Sequence, residues 1–282
     1  MLTRLDAEAL MLEHIAESLV ATTQLISYNG KSFDLSLLVT RCRLAALEGA
    51  VAIPALAKQL EALPHLDLLH AVRRAFARCW PDCRLSTVEQ RLLAFDRGQD
   101  LPGCEAPAAW LDWLWQGNPR RLPDVVEHNR KDLLSLVALI PALSAVYREP
   151  LAYGADSLAL ARYWCKRGRD QQARELLESR LAGNHAASHR ESEAMWFLAH
   201  LYRRAQDWPR AVSLWEMLAR DQHPGALEAL AKFHEHRQRD PLQALEYARR
   251  LPNHPAREHR CQRLLAKLKR AADGTLDLGG GA

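Results

Sequence analysis

Leu2, Leu5, Ala9, Leu12, Ala16 and Leu19 recur at helical spacing with Glu8, Glu13 and Glu17 on other faces, which predicts an amphipathic first helix ended by Thr22 and Thr23. Gln24 to Tyr28 is a short β-favouring run, and the Asn29-Gly30 pair behind it is a strong turn signal. Asp34 opens the next helix, which Leu37, Leu38, Arg41, Cys42 and Ala45 continue. After Pro54 a helical pattern runs to Leu63; then Pro64-His65-Leu66-Asp67-Leu68-Leu69 reads as a second strand leading into a basic helix around Arg73, Arg74 and Arg78.

Ser86-Thr87-Val88-Glu89 has the form of a capping box: the Ser86 hydroxyl accepts from the N3 amide and Glu89 reaches back, so a helix is expected to about Phe95. Gly98 to Pro107 is turn-rich. Trp110, Trp113 and Trp115 then cluster on a helix ending at Gly117, at a spacing that usually means core. Pro123 starts a long helix with His128 and Asp132 on one side and Val126, Leu133, Val137 and Ile140 on the other as its apolar face.

Beyond Pro150 the pattern is helical throughout. Three helix-turn-helix segments, Tyr163 to Glu178, Leu201 to Glu216 and Phe233 to Arg249, align on Ala173, Ala211 and Ala244 at offsets of 38 and 33 residues. That is close to the tetratricopeptide period of about 34. Arg257 to Ala271 reads as a capping helix, and the tail with Gly279, Gly280 and Gly281 as mobile. The expected division is therefore 1–149, 150–272 and a tail, 273–282. Trp196, Trp208 and Trp215 either line a repeat groove or, as is commoner, pack in the core.

Composition changes this picture little. At 282 residues and 48% apolar content the chain has material for one large or two ordinary cores. A formal charge of +4 permits a nucleic-acid partner without demanding one. The longest mostly apolar run, Leu133 to Tyr147, is broken by Pro141 and is shorter than the ~20 residues of a bilayer span, so no membrane association is expected. The opening residues lack the basic and apolar segments of a secretory signal. Six scattered cysteines fit reduced thiols, and with them a cytoplasmic protein. Cys79 and Cys83 form a lone pair with no further ligands at zinc spacing.

Two stretches carry candidate chemistry. Metal-dependent phosphodiester hydrolysis needs clustered carboxylates to hold Mg²⁺ or Mn²⁺. Asp34 at a strand-to-helix junction and Asp132 on a helix face are candidates, and His128, one turn before Asp132, can position or deprotonate water. Taken singly, each has a plainer explanation: Asp34 as a helix cap after an Asn-Gly turn, His128 and Asp132 as a solvated i,i+4 pair, Asp67 as a cap or strand-end carboxylate. Arg73, Arg74, Arg78, Arg120, Arg121 and Arg130 can track a phosphate backbone or form a solvated face.

The combination is more specific. Tyr28-Asn29-Gly30-Lys31-Ser32-Phe33-Asp34, followed by Leu37, Leu38 and Arg41, resembles the second exonuclease motif of the DEDD 3′-5′ exonuclease superfamily, in its bacterial YprB-type, ribonuclease H-like branch. His65 to Leu69, Cys83 to Glu89, Asp100-Leu101-Pro102-Gly103 and His128 to Leu136 extend the resemblance in order over Leu5 to Leu143, about half the chain. It implies Asp34 and Asp132 as metal ligands for Mg²⁺ or Mn²⁺, His128 as the group that orients the attacking water, Asn29 and Lys31 beside the substrate, and DNA or RNA as the partner. Such enzymes carry a first Asp-x-Glu motif on an initial strand. Here no apolar strand with those residues precedes Asn29, and Asp6-Ala7-Glu8 falls inside the helical pattern.

The expectation is thus an α/β N-terminal domain with an incomplete ribonuclease H-like fold, an exposed apolar edge on its first strand, and an all-α helical-repeat C-terminal region. Its expected function is exonuclease-type action on, or binding of, nucleic acid, with hydrolysis impaired by the lack of the first motif. The alternative is a helical-repeat module that binds a protein partner beside a non-catalytic remnant.

Overall fold

The structure is a computed structural model that describes residues 7–47, 53–183, 189–253 and 255–276. The chain divides into two compact units, Met1–Asp156 and Ser157–Ala282.

In the first unit, helix α1 (Glu8–Leu19) leads to strand β1 (Leu25–Ser27), helices α2 (Asp34–Leu47) and α3 (Ile53–Ala62), strand β2 (His65–Asp67) and helix α4 (Leu68–Phe76). β1 and β2 pair in parallel, with Leu25 opposite His65, Ile26 opposite Leu66 and Ser27 opposite Asp67. A parallel pair needs a crossover, and α2 and α3 supply it. Leu12 of α1, Val39, Cys42 and Ala45 of α2, and Ile53, Leu56 and Leu60 of α3 form one buried cluster, against which Leu25 of β1 packs. Ile26 and Leu66 are register partners that stay 40% and 38% exposed. Of the Asp-Ala-Glu triplet, Ala7 is the N-cap of α1 and Glu8 begins the helix and pairs with Arg41 of α2; Asp6 lies outside the described residues.

The same unit continues through α5 (Leu85–Val88), a π-helical turn (Glu89–Leu93), a 3-10 turn (Gly103–Glu105), α6 (Ala106–Gln116) and α7 (Leu122–Arg148). The helix expected from Ser86 to Phe95 is therefore half π-helical, and it has no capping box: its N-cap is Arg84, while the Asp82 carboxylate accepts from the Arg84 amide and the Thr87 hydroxyl. On α7 the apolar face also differs from expectation. Ser135, Leu139, Leu143 and Val146 are buried, whereas Val137 is 69% exposed and Val126, Leu133 and Ile140 are exposed with it. The helix is rotated so that its polar residues His128, Asp132 and Ser135 meet the rest of the unit. Trp115 is likewise exposed, unlike Trp110 and Trp113.

The second unit is built of α8 (Ser157–Cys165), α9 (Asp170–Ala182), α10 (His189–Arg204), α11 (Trp208–Arg220), α12 (Pro224–Phe233) with a following π-helical turn (His234–Gln238), α13 (Pro241–Arg249) and α14 (Pro255–Leu276). Ala173, Ala211 and Ala244 are fully buried, one on each second helix of a hairpin, because a small side chain there lets neighbouring helices approach. Trp215 is buried, and Trp196 and Trp208 are half-buried. The glycines of the tail lie outside the described residues. No helix among the described residues is long and apolar enough to cross a membrane.

Candidate functional site

Residues 28–34 form a stapled turn. Asn29 takes a left-handed backbone (φ 67°), a conformation asparagine tolerates better than most residues. The buried Asp67 carboxylate accepts from the amides of Asn29 (2.8 Å), Lys31 (3.0 Å) and Leu69 (3.1 Å), so one side chain at the end of β2 caps α4 and fixes the turn after β1. Gly30 is required by close approach: a Cβ there would stand 2.7 Å from the Ser27 Cβ and 3.2 Å from Oδ2 of Asp34. Ser27 Oγ lies 2.7 Å from Nε2 of His65, whose burial lowers its pKa. The Tyr28 hydroxyl donates to the Cys83 carbonyl at 2.5 Å, and burial pushes its pKa up. Asp34 starts α2 with its side chain exposed, and Lys31 is exposed beside it.

The second group of residues is centred on Arg97. Glu89, at the start of the π-helical turn, has a side chain only 1% exposed, and Arg97 grips it with two parallel hydrogen bonds, Nε to Oε2 at 2.7 Å and Nη2 to Oε1 at 2.6 Å. The Ser135 hydroxyl of α7 also donates to Glu89. The same guanidinium donates to Asp100 (3.1 Å) and to Oδ1 of Asp132. His128 Nδ1 lies 2.8 Å from Asp100, and its Nε2 lies 3.7 Å from Oδ2 of Asp132. Lys131 adds a further cation 3.4 Å from Asp100. Three carboxylates are thus compensated by Arg97 and Lys131, with His128 between them.

The pKa shifts follow from this packing. Hydrogen bonds to Glu89 above all, with those to Asp132 and Asp100, outweigh burial and raise the Arg97 pKa, so its charge is locked on. At Asp100, burial acts to raise the pKa, but the hydrogen bonds from His128, Arg97 and Lys131 together outweigh it and hold the carboxyl below its ordinary range.

His128 and Asp132 therefore meet, as their i,i+4 spacing suggests, but as members of an ion-paired cluster. Among the described residues no hydrogen bond or ion pair joins Asp34 to Asp132, and no three His, Cys, Asp or Glu side chains are arranged to hold a metal ion. Arg97 has no counterpart in the sequence reading. It lies in the irregular segment between the π-helical turn and the 3-10 turn, where no periodicity assigns it a face. The available signal was the chemistry of the segment: an arginine set between Asp96 and Asp100.

Comparison with known proteins is consistent with this architecture. The family described as the RNase_H superfamily matches residues 1–144. A protein of Bacillus subtilis (strain 168) named "Uncharacterized protein YprB" is 30% identical over 239 residues, covering 81% of this chain and 54% of its own length. The chain thus spans about half the length of that relative. No solved structure matches.

Proposed function

The chain belongs to the RNase H superfamily, and from that premise we propose that it binds nucleic acid while hydrolysing it weakly or not at all. The observation that carries this reading is the state of Asp132. Its Oδ1 is bound to Arg97 and its Oδ2 faces His128, so the carboxylate is already compensated by the Arg97 guanidinium.

Asp34 and Asp132 are the residues assigned to hold Mg²⁺ or Mn²⁺ in this reading, with His128 orienting water and Asn29 and Lys31 beside the substrate. Tested against the geometry, the donor set does not fit a divalent ion. Such an ion wants several oxygen ligands converging within about 2.0–2.6 Å, and here Asp34 is exposed on its own while Asp132 is committed to Arg97. We derive no step through a metal. Neither described strand, Leu25–Ser27 or His65–Asp67, carries an Asp-x-Glu. What the site offers is a rigid turn, Asn29 to Lys31, whose exposed lysine stands ready for a phosphate.

The test is a paired assay on labelled single-stranded DNA and RNA with Mg²⁺ or Mn²⁺, following bound fraction by anisotropy and strand length by electrophoresis. Binding with intact strands is the expected result. Robust shortening that disappears in both Asp34→Ala and Asp132→Ala overturns the proposal, as does the absence of binding.

A further inference from the structure

The two units carry opposite net charge. Residues 1–156 contain 16 Lys and Arg against 19 Asp and Glu, a net of −3, whereas residues 157–282 contain 22 against 15, a net of +7. The overall +4 hides this division. Of the 22 cations in the helical unit 18 are arginine, whose planar fork matches a phosphate with two parallel hydrogen bonds.

Some of these arginines are held ready. Arg237 lies with its guanidinium carbon 4.3 Å from the centre of the Trp208 ring, and Arg167 lies 4.6 Å from that of Tyr163. Both are exposed, and neither has a carboxylate partner among the described residues. An arginine resting on an aromatic face keeps its N–H edge outward and loses little rotamer freedom when a phosphate arrives. By contrast, Arg204, Arg210 and Arg263 are spent on internal ion pairs with Asp170, Glu178 and Glu235.

Topology puts the free ones together. α8 connects to α9 through residues 166–169, α10 to α11 through 205–207, and the π-helical turn after α12 to α13 through 239–240. Consecutive helices joined so tightly run antiparallel, so every second turn falls on the same edge of the array. Arg167 and Arg169, Arg203, then Arg237 and Arg239 stand at or next to these three turns, all exposed.

We propose that this edge, with Arg167, Arg169, Arg203, Arg237 and Arg239, is where the protein binds the phosphodiester backbone of a nucleic-acid strand. The inference rests on the nucleic-acid reading above and assigns most of the affinity to the helical unit, with Lys31 of the family-matched unit adding a single phosphate contact. An acidic polypeptide is the competing occupant. Arginine in place of lysine and repetition of the cationic turns along one edge favour a chain of regularly spaced phosphates.

The test uses the full chain and a labelled single-stranded oligonucleotide, read by anisotropy over a range of salt. Arg167→Glu/Arg237→Glu is expected to lower affinity about tenfold or more and to flatten the dependence of log K on log salt by about 1.4, at about 0.7 per lost phosphate contact. Arg91→Glu is the matched control: Arg91 stacks over Trp80 at 5.5 Å, but in the acidic unit, and this change is expected to leave affinity within about twofold. A charge-retaining Arg167→Lys/Arg237→Lys variant with the same circular dichroism as the native chain keeps most of the salt slope. Equal loss in the Arg91→Glu variant, or displacement of the oligonucleotide by polyglutamate as readily as by unlabelled strand, overturns the assignment. No binding by the native chain overturns the proposed function itself, which is a different outcome.

Discussion

Each unit buries one glutamate at a π-helical turn, and the two are used differently. Glu89 and Glu235 each have a side chain 1% exposed and each is held by two or more donors. Glu235 is gripped by Arg263 and Lys267 of α14, cations that remain 43% and 46% exposed. It acts as a clamp that fastens the last helix. Glu89 is gripped by Arg97, itself only 12% exposed, and Arg97 passes the interaction on to Asp100 and Asp132. A buried carboxylate in a π-helical turn is therefore not by itself a site. Its partners decide whether it ends at the surface or links residues with candidate chemistry.

The largest expected effect is from Glu89→Gln. It leaves the Arg97 charge buried with less compensation, at a cost of about 3–5 kcal/mol, seen as early hydrogen exchange in peptides of residues 85–135 while those of the second unit stay protected. Glu235→Gln is expected to cost less, about 1–2 kcal/mol, because the released Arg263 and Lys267 can turn to water. Its exchange should rise in α13 and α14 only. Equal costs at the two positions would break the comparison.

A smaller effect, about 1 kcal/mol by thermal melting, is expected for Ser135→Ala, which removes one donor to Glu89 but leaves both Arg97 bonds. The mildest is in acid. Asp100 has a folded pKa below its unfolded value of about 3.9, so its contribution is fully present above that value and is lost as pH falls through the lower folded one. Asp100→Asn removes that contribution, so the first unit's stability should fall modestly at neutrality and decline less steeply as pH drops below about 4. Glu235 is also depressed, since its bonds to Lys267 and Arg263 outweigh burial, so the second unit retains its own acid limb in that variant.

How much of this was legible in the sequence depends on how local the cause was. The Asn29-Gly30 turn, the two short strands and the start of α2 at Asp34 arise from neighbouring residues, and the structure has them where the pattern puts them. The meeting of His128 and Asp132 follows from helical spacing alone. What escaped was set by distant partners. Asp67 reads as a simple cap, yet two of its three amide donors come from 36 and 38 residues away. Glu89 reads as half of a capping box, yet Arg97 draws it inward. That inward pull also explains α7, whose polar side faces the unit and whose Val137 and Leu133 face out. Hydrophobic periodicity assigned those faces the other way round because it has no term for a buried ion pair.

On the proposed reading Asp132, paired with Arg97, is not free to take up a divalent ion. Calorimetric titration of the full chain with Mn²⁺, native against Asp132→Ala, tests it most directly. Isotherms that superimpose are the expected result. A binding event present in the native chain and lost in Asp132→Ala would contradict the claim and return Asp132 to the role of a metal ligand.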